Sequence, residues 1–312
     1  MLINLLPDFF TVLESTDRVA AYQRYFDAHR SVLEAYWHNY VVDPAGPHFI
    51  DVVRGTVDAA RADLRAMLAR TDVVALARTA EDRCARLIEL DVDIDIVLMV
   101  GVGAANAGEL VVGGRAVAFL CLEHFTGIAN PDTQGLGLQP ELMSLWLAHE
   151  ITHGVRYTSP TSRSEIRYLI SRADRYYSYW ETGREAPLRE LLANEGLAVR
   201  VSQAVSPGHA AWEYFGYEQR QYTRIRELES IVTRAIGADL DRAGLGLRLR
   251  YLSGGVSDDG RMADRYILPE RCGYYYGARM VEPAIDQRGF AWAVRASAAE
   301  ISAIAETAAA TA

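Results

Sequence analysis

His149-Glu150-Ile151-Thr152-His153 combines two imidazoles and a carboxylate at a spacing that can do chemistry. On a helix, residues i and i+4 stack on one face, so both histidines reach a single ion. Glu150 is rotated off that pair but stays close enough to take a proton from a water activated by the metal, the position of a general base. Residue types and spacing together point to hydrolysis at a zinc ion.

A catalytic zinc site takes three protein ligands plus a water. The third must come from elsewhere, and His124, His209 and many carboxylates are available. Glu195 is favoured, because Leu191-Leu192-Ala193-Asn194-Glu195-Gly196-Leu197-Ala198-Val199 reads as a buried helix with one acid among small and apolar residues. A lone carboxylate in such a run is costly unless it is paired or bound to metal. An exposed helix glutamate is the competing account, since Asn194 and Gly196 flank it.

The motif needs a buried helix to carry it. Leu142, Leu145 and Trp146 lie at helical spacing ahead of His149, so the histidines continue an apolar stripe. Pro140 suits the first turn and Gly154 is a candidate end or bend. Upstream, Asp91, Asp93 and Asp95 alternate with Val92, Ile94 and Ile96, the period of a half-buried strand. A calcium loop starting at Asp91 would need Gly at 96 and Glu at 102, where Ile96 and Val102 stand. Gly101-Val102-Gly103 with Glu123 downstream imitates a dinucleotide fingerprint. Gly108, Gly113 and Gly114 leave no room for the crossover helix that fingerprint needs, so an antiparallel connection to a strand at 115–122 is expected.

His-Glu-x-x-His followed by Asn194-Glu195-Gly196-Leu197-Ala198 resembles the gluzincins, zinc peptidases with a His, His, Glu ligand set. Among them the chain is most similar to a poorly characterised bacterial family of predicted Zn-dependent proteases. Ala116–Glu123 matches as the strand before the motif helix, His153–Tyr157 as that helix's continuation, and Gly273-Tyr274-Tyr275-Tyr276-Gly277-Ala278-Arg279 as a late Gly-Tyr motif. The resemblance covers about residues 90 to 285. It implies one Zn2+ held by His149, His153 and Glu195, with Glu150 as base, and a strand near the site able to pair with a substrate backbone. An aspartate that some gluzincins place a turn after the glutamate ligand is missing, because Val199 and Arg200 stand there.

Hydrolysis builds negative charge on the carbonyl oxygen, which a preorganised donor stabilises. Tyr274, Tyr275, Tyr276 and Arg279 are the candidates, and on a helix Tyr275 and Arg279 share a face. Packing of the rings between two glycines is the competing account.

Composition narrows the function further. The chain has 312 residues, is 50% hydrophobic and carries a formal charge of -9, enough for a sizeable core and unsuited to nucleic acid. All 32 cationic residues are arginine, which excludes Schiff-base, pyridoxal-phosphate and phosphate-loop lysine chemistry. Three well-separated cysteines, Cys84, Cys121 and Cys272, do not form a disulfide framework. The first residues lack the basic start of a signal peptide, Pro7 and Asp8 break their apolar run, and no run is long enough for a membrane span. A cytoplasmic location is expected.

Helical periodicity from about 15 to 88 runs through Val19, Tyr22, Tyr25 and Phe26, with Ser15-Thr16 as a cap, and again through Ile50, Val53, Val57 and Leu64. Tyr168, Tyr176, Tyr177, Tyr179 and Trp180 crowd the stretch between the metal motifs and line a pocket or fill a core. Residues 240–260 read as loop-rich and Ser297–Ala312 as a fraying helix. The expected architecture is α+β and gluzincin-like: a helical N-terminal region over 1–90, then a catalytic region over 91–312. The latter holds a small mixed or antiparallel sheet and the motif helix (91–157) and a helical lobe (158–312). The expected reaction cleaves a peptide or amide bond. The rivals are a zinc enzyme acting on a small molecule, as tailoring hydrolase or lyase, and a non-catalytic module stabilised by metal.

Overall fold

Four apolar segments pair into a sheet: β1 (Leu2–Asn4), β2 (Ile94–Met99), β3 (Ala107–Val112) and β4 (Arg115–Cys121), in the order β1-β2-β4-β3. The computed structural model describes residues 1–173 and 176–311. β1 and β4 run parallel to β2, and β3 is antiparallel to β4, so the sheet is mixed. Gly113 and Gly114, with φ of 56° and 77°, form the two-residue turn between β3 and β4. β2 begins at Ile94 rather than Asp91 and is buried almost throughout, because helices cover both faces of the sheet. β1 is too short to show a period in sequence; its register against Ile96–Leu98 orders it.

The N-terminal region folds as α1 (Leu6–Glu14), α2 (Arg18–Ala28), α3 (Arg30–Tyr40), α4 (Phe49–Asp58), α5 (Ala62–Leu68) and α6 (Val73–Leu87). Pro7 and Asp8 do not end an element but make the first turn of α1, where a proline's missing N–H costs nothing. Asp17, rather than Ser15 or Thr16, caps α2 by accepting from the Ala20 N–H at 3.0 Å. Tyr36 and Tyr40 on α3 meet Phe119 of β4 edge-on at 5.3 and 5.1 Å.

Ala116 and Phe119 point to opposite faces of β4, so the motif helix α7 (Met143–Thr158) lies across the sheet from α3. Gly154 does not end α7. A Cβ there would meet Ala116 Cβ and Ile94 Cδ1 at 3.1 Å, so the glycine lets helix and sheet approach closely. The remaining helices are α8 (Glu165–Ile170), α9 (Tyr179–Glu185), α10 (Leu188–Val205), α11 (Gln219–Glu227), α12 (Glu229–Gly237), α13 (Leu245–Leu252), α14 (Cys272–Arg288), α15 (Phe290–Ala293) and α16 (Ala298–Thr311). α13 occupies a stretch expected to be loop, and Ala312 lies outside the described residues. Two short hairpins, β5 (Ala129–Asn130) with β6 (Gly135–Leu136) and β7 (Met262–Ala263) with β8 (Tyr266–Ile267), complete the α+β fold.

One hydrophobic core runs from Leu5 to Ile301, through both expected regions. α10 and α14 cross at Gly196 and Gly277. A Cβ on Gly196 would sit 2.2 Å from the Gly277 carbonyl carbon, and one on Gly277 would sit 2.2 Å from the Leu192 oxygen. No helix among the described residues is long and apolar enough to cross a membrane.

Candidate metal centre

His149 and His153 sit one turn apart on α7, facing Glu195 on α10, and the three buried side chains bring one donor atom each within 4.8 Å of the others. Glu195 Oε2 lies 3.2 Å from His149 Nε2 and 3.5 Å from His153 Nε2. Two imidazole nitrogens and a carboxylate oxygen converging in this way are a donor set that could hold a metal ion. The other sequence candidates are engaged elsewhere: His124 Nδ1 accepts from the Leu136 N–H at 3.3 Å, and His209 Nε2 pairs with Ser206 Oγ at 2.9 Å.

Metal-binding histidines usually donate their second ring nitrogen to an acceptor. Here Nδ1 of both His149 and His153 is buried without a partner. Ring packing orients them instead. Tyr274 stacks on His149 at 6.2 Å, Trp146 tilts against it at 5.7 Å, and Tyr157 stacks on His153 at 5.8 Å.

Burial alone would raise the Glu195 carboxyl, but the charge of His153 and hydrogen bonds from both histidines outweigh it and hold the group well below the usual carboxylate range. Burial works against a charge on His153, yet the Glu195 carboxylate overcomes it and raises that imidazole to about 9. His149 moves the other way, lowered chiefly by burial. Glu195 therefore stays a carboxylate.

Glu150 is buried beside a residue that the sequence reading passed over, Glu109 of β3; Glu109, Glu150 and His153 form a second group of donors within 4.8 Å. Three tyrosines hold Glu109. Tyr40 donates to Oε2 at 2.9 Å, and Tyr177 and Tyr157 donate to Oε1 at 2.6 and 3.2 Å. Asn194, next to Glu195, donates to the Tyr157 hydroxyl at 2.9 Å and links this cage to α10. Burial first, and then the Glu109 charge, push the Glu150 carboxyl well above its usual range. That direction suits a carboxyl that holds a proton and returns it. A lone acid within Gly108-Glu109-Leu110-Val111-Val112 was the available signal for Glu109.

The late Gly-Tyr motif divides. Tyr274 lines the same cavity as His149, His153 and Glu195. Arg271, just before α14, places its guanidinium 4.5 Å from the Tyr274 ring centre and donates to the Gly216 carbonyl at 3.0 Å. Tyr275 and Arg279 share a face as their spacing requires, but that face turns to α12. The Tyr275 hydroxyl donates to Glu229 at 3.3 Å, and the Arg279 guanidinium lies 4.0 Å from the same carboxylate. Neither of them, nor Tyr276, lines the cavity.

The cavity has a volume of about 900 Å³, bounded by β3 on one side and by Tyr179, Trp180, Trp212 and Tyr217 on others. Of the aromatic stretch between the metal motifs, Tyr179 and Trp180 reach this space, Tyr177 serves Glu109, and Tyr168 faces solvent. The glycine loop after β2 holds no dinucleotide geometry: the buried Glu123 carboxylate accepts the N–H groups of Gly101 at 3.0 Å and Gly103 at 3.4 Å. Comparisons with family models, curated proteins and solved structures find no match to this chain, so the site is read from its own geometry.

Proposed function

We propose that the protein is a zinc-dependent hydrolase of a peptide or amide bond, of gluzincin type, with His149, His153 and Glu195 as ligands and Glu150 as general base. The observation that carries this reading is the convergence of the three donors at the wall of a cavity, with a buried carboxyl of raised pKa beside them. Zinc held there would lower the pKa of a water from its bulk value to about 7 and polarise the substrate carbonyl. Glu150 takes the proton from the attacking water as the C–O bond forms and the carbonyl electron pair moves onto oxygen. The Tyr274 hydroxyl, backed by the Arg271 guanidinium, donates to that oxygen. Glu150 then passes its proton to the leaving nitrogen as the C–N bond breaks, so one water and one amide give a carboxylic acid and an amine.

A purely structural metal has no use for a base, and two histidines with a carboxylate also suit non-haem iron. Glu150 favours hydrolysis over both. The test is metal content and amide hydrolysis in wild type, His149→Ala, Glu195→Ala and Glu150→Gln. One zinc per chain is expected in wild type, none in the two ligand variants, and one in a Glu150→Gln protein slowed by about 10²–10⁴-fold. Reconstituted wild type without zinc, or a fully active Glu150→Gln, would sink the reading.

A further inference from the structure

A substrate that lies along β3 meets an edge that is already largely occupied. The Cys121 N–H bonds to the Asn106 carbonyl, so residues 106, 108 and 110 direct their backbone groups at β4, and Ala107, Glu109 and Val111 direct theirs outward. The Tyr40 hydroxyl closes Glu109, receiving its N–H at 3.2 Å and lying 3.1 Å from its carbonyl oxygen. Tyr177 closes Val111 by donating its N–H to that carbonyl at 3.1 Å, and Tyr176 bridges to Val112. Among the described residues, Ala107, at the cavity wall, has neither of its outward backbone groups bonded.

An added strand bonds to its neighbour at every second residue, about 6.6 Å apart. With Glu109 covered by Tyr40 and the Val111 carbonyl taken by Tyr177, an incoming backbone can pair with β3 at Ala107 and is stopped at Glu109. The cavity volume, about 900 Å³, is also that of a pocket for one compact ligand. Resting on the hydrolase reading above, we infer that the substrate presents its scissile amide within about two residues of a free end on the β3 flank, and that Tyr40, supplied by the N-terminal helices, is the specificity-determining residue. A small amide and the end of a peptide share this chemistry; an internal segment of a long chain does not.

The test uses the zinc-loaded full chain and hydroxamates whose tails grow by one residue at a time toward either end, with affinity measured by calorimetry. For one tail direction, affinity is expected to stop rising after about two residues. In Tyr40→Ala, checked for retained zinc and helix content, the same series is expected to gain about tenfold at the next pairing position. A wild-type affinity that keeps climbing with both tails, or a folded Tyr40→Ala with an unchanged plateau, overturns the inference. Absence of binding by every hydroxamate overturns the metal reading instead. Cleavage assays then separate the two sources: acylated amino-acid amides alone cut, or free-ended peptides cut as well, with cyclic peptides untouched in both cases. Efficient cutting of a cyclic peptide also overturns the inference.

Discussion

Tyr274 is held by its surroundings: its ring stacks on His149 and the Arg271 guanidinium lies against it. Burial, then the nearby Glu195 carboxylate, push its hydroxyl far above the range in which it would ionise, so it remains a hydrogen-bond donor at any working pH. Tyr274→Phe keeps the ring and removes only the donor. Zinc content is expected to hold while kcat falls about 10²–10³-fold with KM little changed. A kcat within twofold of wild type would remove Tyr274 from the mechanism. At this scale the sequence was legible where chemistry is local. His149, Glu150 and His153 announce themselves by spacing, and Glu195 by being an acid in an apolar helix. Tyr275 and Arg279 share the helical face that spacing predicts, but which face of α14 turns to His149 and Glu195 is decided by α10 and α12. Arg271 carries no motif at all; its importance comes from lying beside Tyr274 and Gly216.

Among elements, the crossing of α10 and α14 sets the distance between Glu195 and Tyr274. It depends on two glycines without side chains. An alanine at 277 would place its Cβ 2.2 Å from the Leu192 oxygen, a backbone atom that cannot swing away. Gly277→Ala is therefore expected to separate the helices, with a loss of about 1–3 kcal/mol in urea unfolding and a fall in kcat larger than that of a surface change of equal stability. Unchanged stability would show that the helices can slide past each other. The sequence showed these elements unevenly. α7 and α10 were visible because each is long and periodic. β2 was placed early because its aspartates alternate with apolar residues, whereas the strand itself is the fully covered run that follows. α13 was hidden by the turn signals Gly254-Gly255 and Asp258-Asp259-Gly260, which lie just beyond it and make the whole stretch read as loop; its packing against α9 and α14 makes it a helix.

For the molecule as a whole, segments far apart in sequence are locked together just beyond the C-terminal end of α7, the helix that carries His149 and His153. Asp91 is one such lock. It accepts from Ser159 Oγ at 2.8 Å and Thr161 Oγ1 at 2.9 Å after α7, and pairs with the Arg295 guanidinium at 2.9 Å. Arg295 also donates to the carbonyls of Ile88 and Glu89 at 2.7 and 2.6 Å, holding Glu89 in a left-handed turn with φ of 50°. Burial alone would raise Asp91, but the hydrogen bonds from Arg295, Ser159 and Thr161 outweigh it and lower its pKa below 3.8. A lowered carboxylate pKa contributes stability that is complete above the unfolded value and is lost as pH falls through the folded one. Asp91→Asn is expected to cost about 1 kcal/mol at neutral pH, discounted for partial exposure. Urea unfolding of both proteins should show a gap that is constant above about pH 5 and closes as pH drops below 3.8. A gap that stays constant into strong acid would mean that Asp91 holds its partners by shape alone, without the charge that its lowered pKa requires.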